Sequence, residues 1–164
     1  MKLIEWSGYK KMELIYRGNR DGALSKNFHE KCDNKGPTIT LIKNEKGNIF
    51  GGFSSVSWTG NGGWRQAPNS FLFSLTNIYG INPIKFLLQD NNDSCAIYDH
   101  SCYGPIFGSG HDLYVYNDFN NGICSGFPCT YQDSIGKGKS IFTGDTNNNT
   151  TNFKVKEIEV FKLY

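Results

Sequence analysis

The sequence predicts a mainly β protein: two antiparallel sheets packed as a sandwich, with short flanking helices. Three observations predict it. Aromatic residues make up 15% of the chain, with 12 Phe and 9 Tyr, a bias that suits pleated half-buried surfaces better than helical bundles. Nineteen glycines with many Asn, Asp and Ser imply frequent tight turns between short strands. The last dozen residues, Phe153 to Tyr164, form an unbroken β-pattern too apolar for a solvated tail. Two packed antiparallel layers are the simplest way to bury so many short strands. At 164 residues the chain suits one domain, with a core at about residues 11–164 and an N-terminal clasp at 1–10.

The elements follow in order. Residues 1–10 fit either a short helix or an irregular clasp through Leu3, Ile4 and Trp6, and residues 11–16 read as a strand. Arg17 to Gly22 reads as a turn, its strongest signal Asp21-Gly22. A helix then starts near Ser25, whose hydroxyl would cap it, with Phe28 and Cys32 on its buried face. Gly36-Pro37 ends it. Thr38–Lys43 and a segment from Asn48 toward Trp58 should form a hairpin around Asn44–Gly47. Within it, Gly51-Gly52 should mark a bulge or a close backbone approach. Residues 59–69 read as a polar loop, residues 70–76 as a central strand and residues 84–88 as another strand. A turn at Asn91–Asp93, a strand at 95–98, a glycine-rich loop at 103–110 and a strand at 112–116 follow. Residues 117–140 are turn-rich, and residues 145–152 read as a flexible loop. In the last strand Phe153 and Val155 share one parity, and Ile158 and Val160 the other. If all four face the core, a β-bulge must lie near Lys156-Glu157.

Charge and cysteine usage narrow the function. A formal charge of +2, with lysines interleaved among acidic residues, falls short of a nucleic-acid footprint. Phe71, Phe73 and Tyr114 read as core rather than as base-stacking platforms. No stretch has the length of a bilayer span, and Glu5 interrupts the N-terminal apolar residues, so neither membrane insertion nor a signal peptide is expected. Sequons at Asn92, Asn148 and Asn149 then read as chance. Five cysteines, Cys32, Cys95, Cys102, Cys124 and Cys129, fit reduced thiols in a cytoplasmic setting. His29-x-x-Cys32 and His100-x-Cys102 place soft ligands together but lack the two close pairs of a structural zinc site, so no metal is expected.

Catalytic motifs are incomplete. An enzyme built here would draw on His29, Cys32, His111 or Asp112, as a cryptic hydrolase or a thiol-based antioxidant, but no nucleophile elbow accompanies them. His111 and Asp112, adjacent in sequence, would face opposite ways on a strand, and their imidazole and carboxylate are expected to hydrogen-bond backbone groups of an irregular loop. Residues 134–140 imitate a phosphate loop, yet the first required glycine is Asp133 and no helix is expected to follow. Gly104, Gly108 and Gly110 miss the dinucleotide pattern, so no cofactor is expected.

Six segments in order resemble the eukaryotic TLDc domain: Tyr16 to Thr38, Ile49 to Phe53, Phe71 to Leu75, Tyr103 to Gly108, Gly110 to Leu113, and Lys156 to Phe161. The resemblance runs from about residue 11 to 164. The loops at 59–69 and 145–152, and Cys95, Cys102, Cys124 and Cys129, lie outside it. It implies a β-sandwich that acts by protein binding in oxidative-stress protection and in regulation of the vacuolar proton-pumping ATPase. Such a protein would be cytoplasmic and recruited to acidic organelles through a partner. Gly51, Gly52, Gly104, Gly108, Gly110, His111, Asp112, Glu157 and Glu159 are then structural motif residues.

Overall fold

The computed structural model describes residues 1–90 and 93–164. The turn expected at Asn91 and the sequon at Asn92 lie outside the described residues. The chain is mainly β and antiparallel. Strands β1 (Met12–Arg17), β2 (Thr38–Asn44), β3 (Ile49–Ser54), β4 (Asn61–Arg65), β5 (Phe71–Thr76) and β6 (Ile84–Leu87) are followed by β7 (Ile97–His100), β8 (Ile106–Phe107), β9 (Leu113–Val115), β10 (Asn121–Ile123) and β11 (Asn152–Leu163). Short helices α1 (Lys2–Ser7), α2 (Gly18–Asp21), α3 (Ser25–Cys32) and α4 (Ser140–Thr143) sit between them.

The two expected layers are joined by one strand. Hydrogen bonding runs β4-β7-β8-β9-β10-β11-β2-β3-β5-β6, with β1 also on β11. The start of β11 pairs with β10 (Phe153 opposite Gly122), and its end lies between β2 and β1. The expected bulge is present. Val155 lies opposite Asn44 and Glu157 opposite Lys43, leaving Lys156 unmatched. One extra residue reverses the parity, so Phe153, Ile158 and Val160 all reach the same core.

That core is aromatic. Phe28 meets Tyr16, Trp58 and Phe119 edge-on, and Phe142 packs with Phe50, Phe86 and Phe127. Edge-to-face contacts suit the ring quadrupoles, and each buried ring removes enough apolar surface to contribute about 1.5–3 kcal/mol. Gly52 shows how closely the layers approach: a Cβ there would stand 2.6 Å from the Phe107 ring of the facing layer. The Gly51-Gly52 pair is therefore a close approach, with β2 and β3 in regular register across it. The outer face of β2, β3 and β5 is closed by α1, where Leu3 joins Ile39, Phe53, Phe71, Phe73 and Leu163.

Several local expectations change. Asn27, not Ser25, tends the start of α3: Leu24 holds the cap position and donates its N–H to the Asn27 side chain at 3.3 Å. Ser25 is the first helical residue. The turn at 17–22 includes the single helical turn α2. The polar loop at 59–69 contains β4, recruited by pairing with β7 despite its glycines. Residues 145–152 are organised by Asp145, whose carboxylate accepts from the Asn147 N–H and the Thr150 hydroxyl, both at 3.0 Å.

Because β11 joins the layers, ending the chain at residue 152 should remove the seam and expose both cores. Insoluble protein without a cooperative thermal transition is expected. A soluble truncated chain that unfolds cooperatively would contradict this role.

Candidate functional site

Strand register assembles a surface that α1 leaves open. Trp64 of β4 lies opposite Tyr98 of β7, Tyr98 opposite Ile106 of β8, and Ile106 opposite Tyr114 of β9. Residues directly opposite share a sheet face. Alternation sends their neighbours Ile97, Phe107, Leu113 and Val115 into the core. The result is a cross-strand row on the outer face. His100 and Tyr103 extend it beside Tyr98, and His111 and Tyr116 flank Tyr114, with successive ring centroids 4.7–6.3 Å apart. Tyr98, Tyr103, Ile106, His111 and Tyr114 line a cleft of about 320 Å³. Trp64 is 44% exposed and Tyr103 38%.

The tyrosines on this face differ from those elsewhere in their hydrogen bonding. Tyr16, Tyr79, Tyr131 and Tyr164 each hydrogen-bond a protein group. Among the described residues no such partner is found for Tyr98, Tyr103, Tyr114 or Tyr116, and the one buried side-chain polar atom left unpaired is the Thr40 hydroxyl. Burial among its neighbours, with the nearby hydroxyls of Tyr103 and Tyr116, pushes the Tyr114 phenol up to about 12, so it stays a neutral hydrogen-bond donor at physiological pH.

A histidine clamp fixes the turn that carries Tyr103. The His29 Nε2 lies 3.1 Å from the His100 carbonyl and 2.9 Å from the Tyr103 carbonyl. Carbonyls only accept, so Nε2 carries a hydrogen. The His29 Nδ1 lies 2.8 Å from an Asp33 carboxylate oxygen, so a proton must sit between imidazole and carboxyl as well. Burial raises the Asp33 carboxyl, with the His29 hydrogen bond opposing that rise.

The sequence-derived candidates do not converge. Cys32 is fully buried, and burial pushes its thiol far up, away from the nucleophilic thiolate. Its neighbour His29 is engaged with Asp33 and two carbonyls, so the two form no nucleophile–base pair. Asp112 is fully buried and accepts the backbone N–H groups of Cys129, Thr130 and Tyr131 at 2.9–3.0 Å. Burial raises its carboxyl, and these three donors oppose the rise. Gly108 lies beside it at φ +84, where a side chain would strike the Asp112 carboxylate. His111 departs from expectation. It is exposed, its backbone takes φ +56, and its ring packs on Tyr114 instead of bonding the loop. Gly104 lies against the Phe119 ring, Gly110 against Cys129. Glu157 accepts the N–H groups of Asn19 and Ile158, and Glu159 pairs with Arg17 at 2.7 Å, tying β11 to its flank.

The phosphate-loop imitation fails for a reason visible in the structure. The Asp133 carboxylate accepts the N–H groups of Ile135, Gly136 and Gly138, donors that a phosphate would need. A helix does follow, contrary to expectation, but α4 has only four residues.

Trp64, Tyr98 and Tyr116 carry no role in the sequence analysis, where Trp64 falls in the expected loop, His100 is weighed only as a soft ligand beside Cys102, and Tyr103 only opens a family-like segment. Tyr114 is buried, as expected, and packs against the Tyr103 and Tyr116 rings of the outer face. The available signal was the i, i+2 spacing of Tyr98 with His100 and of Tyr114 with Tyr116.

A two-layer β domain with its loop carboxylates tied to backbone and an open aromatic face has the character of a recognition module. The TLDc domain family model matches residues 1–164, and the chain belongs to that family. It is also similar to the MTOR-associated protein MEAK7 of Gallus gallus, 27% identical over 144 residues, covering 82% of this chain and 30% of the relative. The same-named protein of Danio rerio is 48% identical over 44 residues, covering 27% of this chain and 10% of the relative. The chain thus spans less than a third of the length of these curated relatives.

Two outcomes follow. Asp112→Ala should leave three backbone N–H groups without their acceptor and destabilise by about 3 kcal/mol, whereas His111→Ala should cost less than about 1 kcal/mol. Urea unfolding of both variants checks this; the reverse order would refute the assignment. In the native protein a water-soluble maleimide should label the exposed Cys102 and Cys129 first. Cys32 and Cys124, both buried, should label only on unfolding. Peptide-resolved mass spectrometry reads the order, and fast labelling of Cys32 would restore it as a reactive thiol.

Proposed function

We propose that this TLDc domain is a non-catalytic protein-docking module and that the aromatic face of β4, β7, β8 and β9 is its contact surface. The observation that carries the reading is the aromatic row from Trp64 to Tyr114, in which Ile106 and Tyr114 form the buried floor and Trp64, with the adjoining Tyr103, stands exposed. Aromatic residues with outward polar tips supply binding energy at interfaces, and an exposed patch of this kind marks an interaction site. The carboxylates that could have served chemistry, Asp112 and Asp133, already hold backbone N–H groups.

The partner proposed from the family resemblance is the vacuolar proton-pumping ATPase. Binding it would place the domain in the cytoplasm, at acidic organelles, and link it to oxidative-stress protection. The name of the MEAK7 relatives adds an association with mTOR as a second protein-binding role. No described helix is long and apolar enough to cross a membrane.

The test compares wild type with a Trp64→Ala/Tyr103→Ala variant, each immobilised and exposed to lysate of the source cell. Pump subunits and mTOR are then probed by antibody. Retention of either by wild type, and at least tenfold less by a variant of unchanged melting temperature, is the expected result. Equal retention by both proteins would place docking elsewhere, and retention of neither would refute the proposed partners.

A further inference from the structure

The chemistry of the aromatic face narrows what it binds. Its cleft is lined by Tyr98, Tyr103, Ile106, His111 and Tyr114, without a carboxylate, amide, lysine or arginine. Arg65, next to Trp64, is turned away: its guanidinium holds Asp99 at 3.1 Å and the Ser57 carbonyl at 3.0 Å. A nucleic-acid strand would need cations along the stacking rings, and this face offers none. A sugar would leave its many hydroxyls with few partners, since the lining has no amide or carboxylate to grip them.

What the face does offer is flat rings with hydrogen-bond donors at their tips. The four tyrosine hydroxyls have no protein partner among the described residues and can donate. His100 Nδ1 accepts the Cys102 N–H at 3.1 Å, so in the neutral ring the hydrogen sits on Nε2. Trp64 adds its indole N–H. The complementary ligand is apolar, presents unpaired carbonyls and few N–H groups, and is already extended. A polyproline II segment has these properties: no internal hydrogen bonds, exposed carbonyls, and no N–H at proline. Preformed extension also lowers its ordering cost on docking to aromatic grooves. Size agrees. From β4 to β9 the row crosses three inter-strand steps of about 4.8 Å, roughly 14 Å, which four or five residues span at about 3.1 Å each. One charge lies at the β9 end: Asp118 sits in the turn between β9 and β10, two residues past Tyr116, where its carboxylate accepts the Asn120 N–H at 3.2 Å, and it would attract a basic residue.

We infer that this face binds a proline-rich segment of a protein partner in the polyproline II conformation, with a Lys or Arg at its Asp118 end. The inference rests on the docking reading above and adds the class of partner sequence.

The probes are decaproline, decaproline carrying one terminal Arg, and a Gly-Ser decapeptide, with deca-thymidine and chitohexaose as competing ligand classes. Each is titrated into the whole chain by calorimetry. Both proline peptides should saturate while the Gly-Ser peptide does not. The added Arg should tighten binding about threefold at low salt, and Asp118→Asn should abolish that gain. Trp64→Ala and Tyr98→Ala should each weaken binding at least tenfold with melting temperature unchanged. Absence of saturable proline-peptide binding, undiminished binding by Trp64→Ala, or tighter binding of deca-thymidine or chitohexaose would each overturn the inference. If the proline peptides fail while the Trp64→Ala/Tyr103→Ala variant still loses its protein partner, only the partner class falls. If that variant keeps its partner, the docking reading falls with it.

Discussion

The sharing of β11 between two layers is the constraint on which the rest of the fold depends. A strand pairs along two edges only. β11 gives one edge to β2 and divides the other between β10 and β1, so both layers take their register from it. The unmatched Lys156 makes this workable. Without it, Phe153 and Ile158 would face opposite sides, and one layer would present polar residues to the core. The strip beside the bulge is closed by side chains: Glu157 takes the Asn19 N–H, and Glu159 holds Arg17. The two glutamates thus reinforce the position where the ladder is interrupted. The aromatic face depends on the same strand, because the strand pairing that links β9 to the other layer runs through β10 and β11.

Much of this was legible because it rests on parity and turn chemistry. The change of parity between Val155 and Ile158 called for a bulge, and the glycines of the β2–β3 hairpin called for either a bulge or a close approach, of which the structure has the second. What was not legible depended on pairing between distant segments. Residues 61–65 have a weak intrinsic strand signal, with Gly62 and Gly63, and become a strand through β7, more than thirty residues later. Trp64 joins the aromatic row only once that pairing exists. Tyr114 is buried as its sequence context suggests, but among outer-face rings and not with its neighbours Leu113 and Val115 in the main core. The role of Asp112 as a backbone acceptor agreed with expectation. His111 did not, because positive φ turns it out of the loop.

Three aspartates that serve loops share one physical logic. Asp99 is buried and receives the N–H groups of Thr59 and Gly60, the Thr59 hydroxyl and the Arg65 guanidinium. Asp112 receives three backbone N–H groups and Asp133 receives three. An ionised carboxylate is an acceptor only, with room for about four donors, so it can satisfy a loop that has no strand to pair with. Such a carboxylate has little freedom left to serve as a base toward a substrate. Its bonds set backbone geometry instead: Asp99 seats the segment leading into β4, and Asp112 anchors residues 129–131 beneath the His111–Tyr114 edge. The His29–Asp33 pair does the same for the turn bearing Tyr103. Among the described residues, the polar groups of the aromatic face without a protein partner are chiefly tyrosine hydroxyls carried on a row of rings. Interior acidity therefore rigidifies the loops, and the exterior keeps neutral donors on flat apolar supports. That division suits recognition of an extended chain better than bond-making, since rigid loops lower the ordering cost of association.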